Sequence, residues 1–267
     1  MKHKQWLALA LIFCLALPLA ACSLKPAASW PEVLKPSSGG GRLVRGSGNV
    51  VEVRTPLSGD TGVFSLRVKG ITLRGSDTEV ELVIDESLSR EVVITADDNI
   101  AKCISVDYNS VTDAITVDLN RRVAFSPSQL RIAVGAPVKK LDVNGAWRFT
   151  YNCPGVTDCE ISINGACNGA FTFGTLNALR MDLNGTGDIK LAGTAKRAGL
   201  TVNGAANIRA FDLAAEAADV TINGTGDCEI TATATLNAVI NGLGKVVYGG
   251  SPVVNRQIFG LGEVRQK

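Results

Sequence analysis

Histidine is almost missing from this 267-residue chain: the only one is His3, inside an amino-terminal stretch that reads as a secretory signal and would leave with it. Without histidine there is no Ser-His-Asp or Cys-His activation of a nucleophile and no histidine-ligated zinc. Excess charge is missing too. Lys and Arg number 27 against 25 Asp and Glu, and loss of Lys2 and Lys4 with the signal leaves 25 of each. That neutrality argues against nucleic acid as a partner, which calls for a basic footprint. No Cys-x-x-Cys pair offers metal spacing. Beyond the amino terminus, no apolar run approaches the roughly 20 residues that span a bilayer. Carboxylate, lysine or tyrosine chemistry is what these absences leave open.

At the amino terminus, Lys2 and Lys4 precede an apolar run from Trp6 to Leu17, followed by Leu19-Ala20-Ala21-Cys22. The last four residues resemble the lipobox of bacterial lipoproteins. The resemblance implies that residues 1–21 are removed and that Cys22 carries a lipid, which makes a membrane the first expected partner. With Ser23 behind the anchor, resemblance to lipoprotein sorting implies the outer membrane or cell surface. Residues 22–48 are rich in Pro, Ser, Gly and Ala and read as a flexible tether. Five cysteines follow, Cys103, Cys153, Cys159, Cys167 and Cys228. Two readings stay open for them: a small-loop disulfide between Cys153 and Cys159, or buried apolar thiols.

From Val50 the chain breaks into short alternating or β-branched runs bounded by Gly, Asp, Asn, Ser or Pro, as strands are. Near Leu141 a landmark starts to recur: Asn144-Gly145, Asn164-Gly165, Asn184-Gly185, Asn203-Gly204, Asn223-Gly224, Asn241-Gly242 and Phe259-Gly260. The glycines stand 18 to 20 residues apart. Apolar residues fall four and two positions before each glycine, as in Leu200 and Val202, and mostly four and six after it, as in Ile208 and Ala210. A period of this size predicts stacked coils. The expected fold is therefore all-β, a parallel, right-handed β-helix or solenoid with coils of 18–20 residues over 141–267. Further strands over 49–140 would be continuous with it. The repeated asparagines are expected to stack as an amide ladder, with the glycines supplying turns, so both residue types read as structural.

Repeated Gly-x-Gly turns, the run Leu183-Asn184-Gly185-Thr186-Gly187-Asp188, and the ending Tyr248-Gly249-Gly250-Ser251-Pro252 resemble the auto-transporter adhesin head GIN domain family, over approximately residues 65 to 267. That resemblance implies a β-helix of the pectin-lyase kind on an exported bacterial protein, with adhesion as its role. The chain departs from the pattern by placing Asn before most turn glycines and by Trp147 and Cys167 in the early repeats.

Two clusters are candidates for more than structure. Trp147, Phe149, Tyr151 and Phe173 form an aromatic group that is either core filling or a contact patch. Asp188 and Asp227 sit at equivalent offsets two repeats apart and are weighed as an ion or sugar site against solvated turn residues. No catalytic residue, cofactor or metal is assigned. The expected function is a non-catalytic envelope module that binds a protein or glycan. The alternatives are a carbohydrate-active enzyme, such as a polysaccharide lyase or hydrolase, and a structural element that self-associates through its final strand as a homo-oligomer.

Overall fold

The computed structural model describes residues 42–57, 62–69, 72–73, 80–119 and 123–267. The signal sequence, Cys22 and the tether up to residue 41 lie outside the described residues. Thirteen strands and one helical turn are present among the described residues: β1 (Arg42–Arg45), β2 (Val50–Pro56), β3 (Phe64–Lys69), β4 (Thr72–Leu73), β5 (Val80–Asp85), β6 (Glu91–Asp97), α1 (Asp98–Ala101), β7 (Ser105–Asn109), β8 (Ala114–Asp118), β9 (Val123–Ser126), β10 (Leu130–Val134), β11 (Val138–Cys153), β12 (Asp158–Gly249) and β13 (Val253–Gln266). β1 falls within the segment expected as tether and pairs with β9. No helix among the described residues is long and apolar enough to cross a membrane.

The fold is all-β, but it is not the parallel β-helix solenoid that the period predicts. One large sheet runs in the order β2-β6-β10-β5-β11-β3-β8-β7, with β12 and β13 continuing from β11, in a barrel-like and nearly closed arrangement that mixes strand directions. β2–β6, β6–β10 and β7–β8 are antiparallel, whereas β10–β5, β5–β11, β11–β3 and β3–β8 are parallel. Chain connections account for the mixture. A four-residue link with Asp113 at φ 49° turns β7 straight back onto β8, which a parallel pair, needing a crossover, does not allow. β10 inserts between the sequential strands β5 and β6 and runs parallel to one and antiparallel to the other.

Beyond Lys140 the landmarks act as a pairing register. Leu141 pairs with Ile161, Asn144 with Asn164 and Gly145 with Gly165; at the other end Asn241 pairs with Phe259 and Gly242 with Gly260. Alternate residues point inward, so Leu200, Val202, Ala206, Ile208 and Ala210 are all buried, while Asn203, Ala205 and Asn207 between them are exposed. The inward sets of both halves join in one continuous hydrophobic core, and area removed from water is the dominant stabilising term for such a body.

A polar knot lies where the chain enters the body. Asp97 is fully buried, and its carboxylate accepts hydrogen bonds from the Ser128 hydroxyl (2.6 Å), the Ser128 N–H (2.8 Å) and the Gly48 N–H (2.8 Å). Burial pushes the carboxyl pKa up, but the bonds from Ser128, Gly48 and the Gln129 N–H outweigh it, so the net shift is downward. Around it, Asn99 Nδ2 donates to the Arg45 carbonyl at 2.7 Å and Ser47 N–H to Asn99 Oδ1 at 3.1 Å. The β1–β2 link, α1 and the β9–β10 link are thereby tied at one point.

Candidate functional site

The repeats build a face from side chains that point outward. Because each asparagine precedes its glycine at the same offset, parallel register brings the amides into a file. Asn184 Nδ2 donates to Asn164 Oδ1 at 3.0 Å, and Asn203 to Asn184, Asn223 to Asn203 and Asn241 to Asn223 each at 2.7 Å. Every interior amide both donates and accepts, which satisfies groups that would otherwise compete with the backbone. Phe259 occupies the next position and ends the file.

A second file runs four residues along. The Asp188 N–H donates to Asn168 Oδ1 (2.9 Å), Asn207 Nδ2 to Asp188 Oδ1 (3.0 Å), the Asp227 N–H to Asn207 Oδ1 (3.1 Å) and the Lys245 N–H to Asp227 Oδ1 (3.0 Å). Asp188 and Asp227 are thus rungs separated by Asn207 and do not converge. Arg209 Nη2 also lies 3.6 Å from Asp188. Among the described residues no group of three or more His, Cys, Asp or Glu is placed to hold a metal ion.

Between the two files runs a row of small exposed side chains, Ala166, Thr186, Ala205 and Thr225. It gives way to Leu243 and Leu261, which are 50% and 82% exposed. At that end lies a shallow open depression of about 610 Å³, lined among others by Asp227, Leu243, Lys245, Leu261 and Glu263. Its three charged residues are successive rungs of one row, so the depression gathers no pair of acid and base facing a common point.

The aromatic group faces the other way. Trp147, Phe149, Tyr151 and Phe173 are buried, none more than 4% exposed, and they offer no contact patch. Tyr151 lies 5.7 Å from Phe171 and 5.3 Å from Phe173 between ring centroids, and the Trp147 indole donates to the Asn144 carbonyl at 3.2 Å. The Tyr151 hydroxyl donates to the Val138 carbonyl and lies 3.3 Å from Cys159 Sγ. Burial pushes that hydroxyl far above its ordinary pKa.

Cys153 and Cys159 carry separate thiols, with no disulfide between them, and are buried, as Cys103, Cys167 and Cys228 also are. Burial raises Cys153 to about 11 and Cys159, Cys167 and Cys228 to about 12. The thiolate is the reactive form. Treated with a colorimetric disulfide reagent at mildly alkaline pH, the folded chain is therefore expected to leave these five unlabelled, and all five should react once denaturant is added. Fast stoichiometric labelling of any of them in the folded chain contradicts the buried placement.

Two features escape a reading of the sequence alone. Asp97 lies in an unremarkable Asp97-Asp98 pair, and Phe259 and Leu261 stand at outward offsets that carry asparagine and small residues in most earlier repeats. The only local signal for the latter is the replacement of the recurrent asparagine by phenylalanine in the last repeat.

Curated proteins provide no match to the chain. Solved structures do. A putative adhesin from Bacteroides fragilis is 20% identical with a TM-score of 0.58, covering 84% of this chain and all of its own. A putative lipid binding protein from Parabacteroides distasonis is 20% identical with a TM-score of 0.57, covering 85% and 100%. A putative adhesin from Parabacteroides merdae is 19% identical with a TM-score of 0.56, covering 85% and 99%. At such identities the likeness carries the fold alone. The model of the family described as "Putative auto-transporter adhesin, head GIN domain" matches residues 68–252, well over half of the sequence, and the chain belongs to that family.

Proposed function

We propose that the chain is a non-catalytic interaction module of the bacterial cell envelope, held to the outer membrane by a lipid on Cys22 and meeting a protein or glycan with its laddered face. The observation that carries this reading is the consumption of the outward polar groups by one another. The Asn164 to Asn241 file and the Asn168 to Lys245 file spend their hydrogen bonds between repeats. A flat, rigid surface results, in which neither a nucleophile nor a proton-transfer pair is poised. Rigid surfaces of this kind bind with little loss of conformational entropy. The knot around Asp97 suits a tethered body, since a pull along the entering chain meets cross-links to three segments at once.

The test is an array of immobilised glycans and proteins probed with the purified chain. Retention is expected to fall at least about ten-fold, or 1.4 kcal/mol, in a Thr186→Arg/Thr225→Arg variant, and to stay unchanged in Val111→Arg, a substitution at an exposed turn away from the face. Release of soluble sugar from a spotted polysaccharide, or equal retention of all three proteins, overturns the reading. In cells, Cys22→Ala is expected to abolish incorporation of labelled palmitate.

A further inference from the structure

Among the described residues β13 is a fourteen-residue edge, paired on one side only, with β12. Edges of this length are ordinarily blunted by charge, proline or a covering segment, because their free N–H and C=O groups pair with any strand that arrives. Residues 253–262, Val-Val-Asn-Arg-Gln-Ile-Phe-Gly-Leu-Gly, carry one charge and no proline. They also carry exposed apolar groups: Val253 is 67%, Ile258 38%, Phe259 65% and Leu261 82% exposed. With the adjoining Leu243 these make five of the nine large exposed apolar residues among the described residues, so the exposed apolar surface described is concentrated on and beside this open edge.

We infer that this edge pairs, antiparallel, with β13 of a second copy of the chain about a two-fold axis through Gly260. The strand complements itself in that register. Phe259 falls opposite Leu261 of the second copy, Gln257 opposite Glu263, Asn255 opposite Arg265 and Arg256 opposite Val264. Apolar groups meet at the centre, polar groups flank them, and no like charges face each other. Shifting the register by two residues in one direction sets Phe259 against Glu263; in the other it sets Leu261 against Gln257.

Backbone shape selects the same axis. Gly260 has φ +146°, and a Cβ there would lie 2.3 Å from the Gly242 carbonyl oxygen, so the strand turns a corner at this residue. An axis through Gly260 lays corner on corner and lets both halves of the strand stay paired. Among the described residues head-to-tail stacking has no matching acceptor: the terminal strands at the far ends of the sheet, β2 and β7, have seven and five residues. The contact is therefore isologous and closes at two copies instead of propagating. It goes beyond the partner-binding reading above and uses a different surface.

Fourteen strand residues a side is fewer than the roughly 20–30 a side of a standard interface, which points to a dissociation constant on the order of micromolar. Sedimentation velocity of the chain from about 0.5 to 200 µM should show monomer passing to dimer, with Leu261→Lys shifting the midpoint at least about ten-fold and Thr225→Lys, two repeats away, leaving it in place. Monomer throughout, or a midpoint indifferent to Leu261→Lys, overturns the inference. Register is tested separately in a chain with Cys14→Ala and Cys22→Ala. Phe259→Cys/Leu261→Cys is expected to cross-link into a covalent dimer under mild oxidation, and neither single variant should. Equal cross-linking of a single variant rules out the axis at Gly260. Loss of array binding without loss of the dimer condemns the partner-binding reading alone, and the converse condemns this one.

Discussion

Asp97→Ala is expected to lower the stability of the chain by about 2–4 kcal/mol, because it removes a buried carboxylate that accepts three hydrogen bonds. The Ser128 hydroxyl, the Ser128 N–H and the Gly48 N–H all lose their partner. Asp97→Asn keeps the shape and one oxygen, and its loss should be smaller. Chemical denaturation followed by circular dichroism measures both. The acid limb distinguishes the charge from the shape. The folded pKa is lowered, so the carboxylate's contribution is complete above the unfolded value of about 3.9 and disappears as pH falls from there through the folded one. Asp97→Asn should accordingly flatten the loss of stability between about pH 5 and pH 2. A stability of Asp97→Ala within about 1 kcal/mol of the parent would show that the knot is dispensable.

Gly204→Val is expected to cost more than about 4 kcal/mol, at the extreme of single substitutions. Gly204 has φ +147°, where a β-branched side chain is strained, and a Cβ there would stand 2.1 Å from the Gly185 carbonyl oxygen. Backbone cannot yield as a side-chain tip can, so relief requires parting the repeat from its neighbour and breaking the amide file at Asn203. Soluble yield and the thermal midpoint report the outcome, with Ala205→Val as the control, since Ala205 is exposed on the same turn. If both variants melt together, the close approach of successive repeats at this glycine is not what holds them.

The two results concern different kinds of information. Gly204 is conspicuous in the sequence as one of six Asn-Gly landmarks, and the spacing of Leu200, Val202, Ile208 and Ala210 places them in the core. Family membership is legible from the same repeats. Between Val50 and Val134 the alternation marks strands equally well, yet period two is common to parallel and antiparallel pairs. Nothing in Val80–Asp85 or Glu91–Asp97 announces that β10 will separate them. Extending the direction of the carboxyl-terminal repeats over the whole body therefore yields the wholly parallel helix that the mixed sheet corrects. The aromatic group turns on burial, since Trp147 and Phe173 alternate as readily on an outer face as on an inner one.

Exposure on β13 belongs to the same class. Ile258 occupies an offset that is buried in every earlier repeat, and it is 38% exposed because no strand follows to cover it. Alternation, turn glycines and the 18 to 20 residue period are properties of neighbours along the chain, imposed by backbone sterics and the strand repeat, and the sequence by itself determined them. Strand order, the burial of Asp97 among Ser128 and Gly48, and the open edge at Phe259 and Leu261 depend on which distant segments meet. Tertiary structure alone decided those, because the hydrogen bonds and apolar contacts responsible join residues that local preference does not bring together.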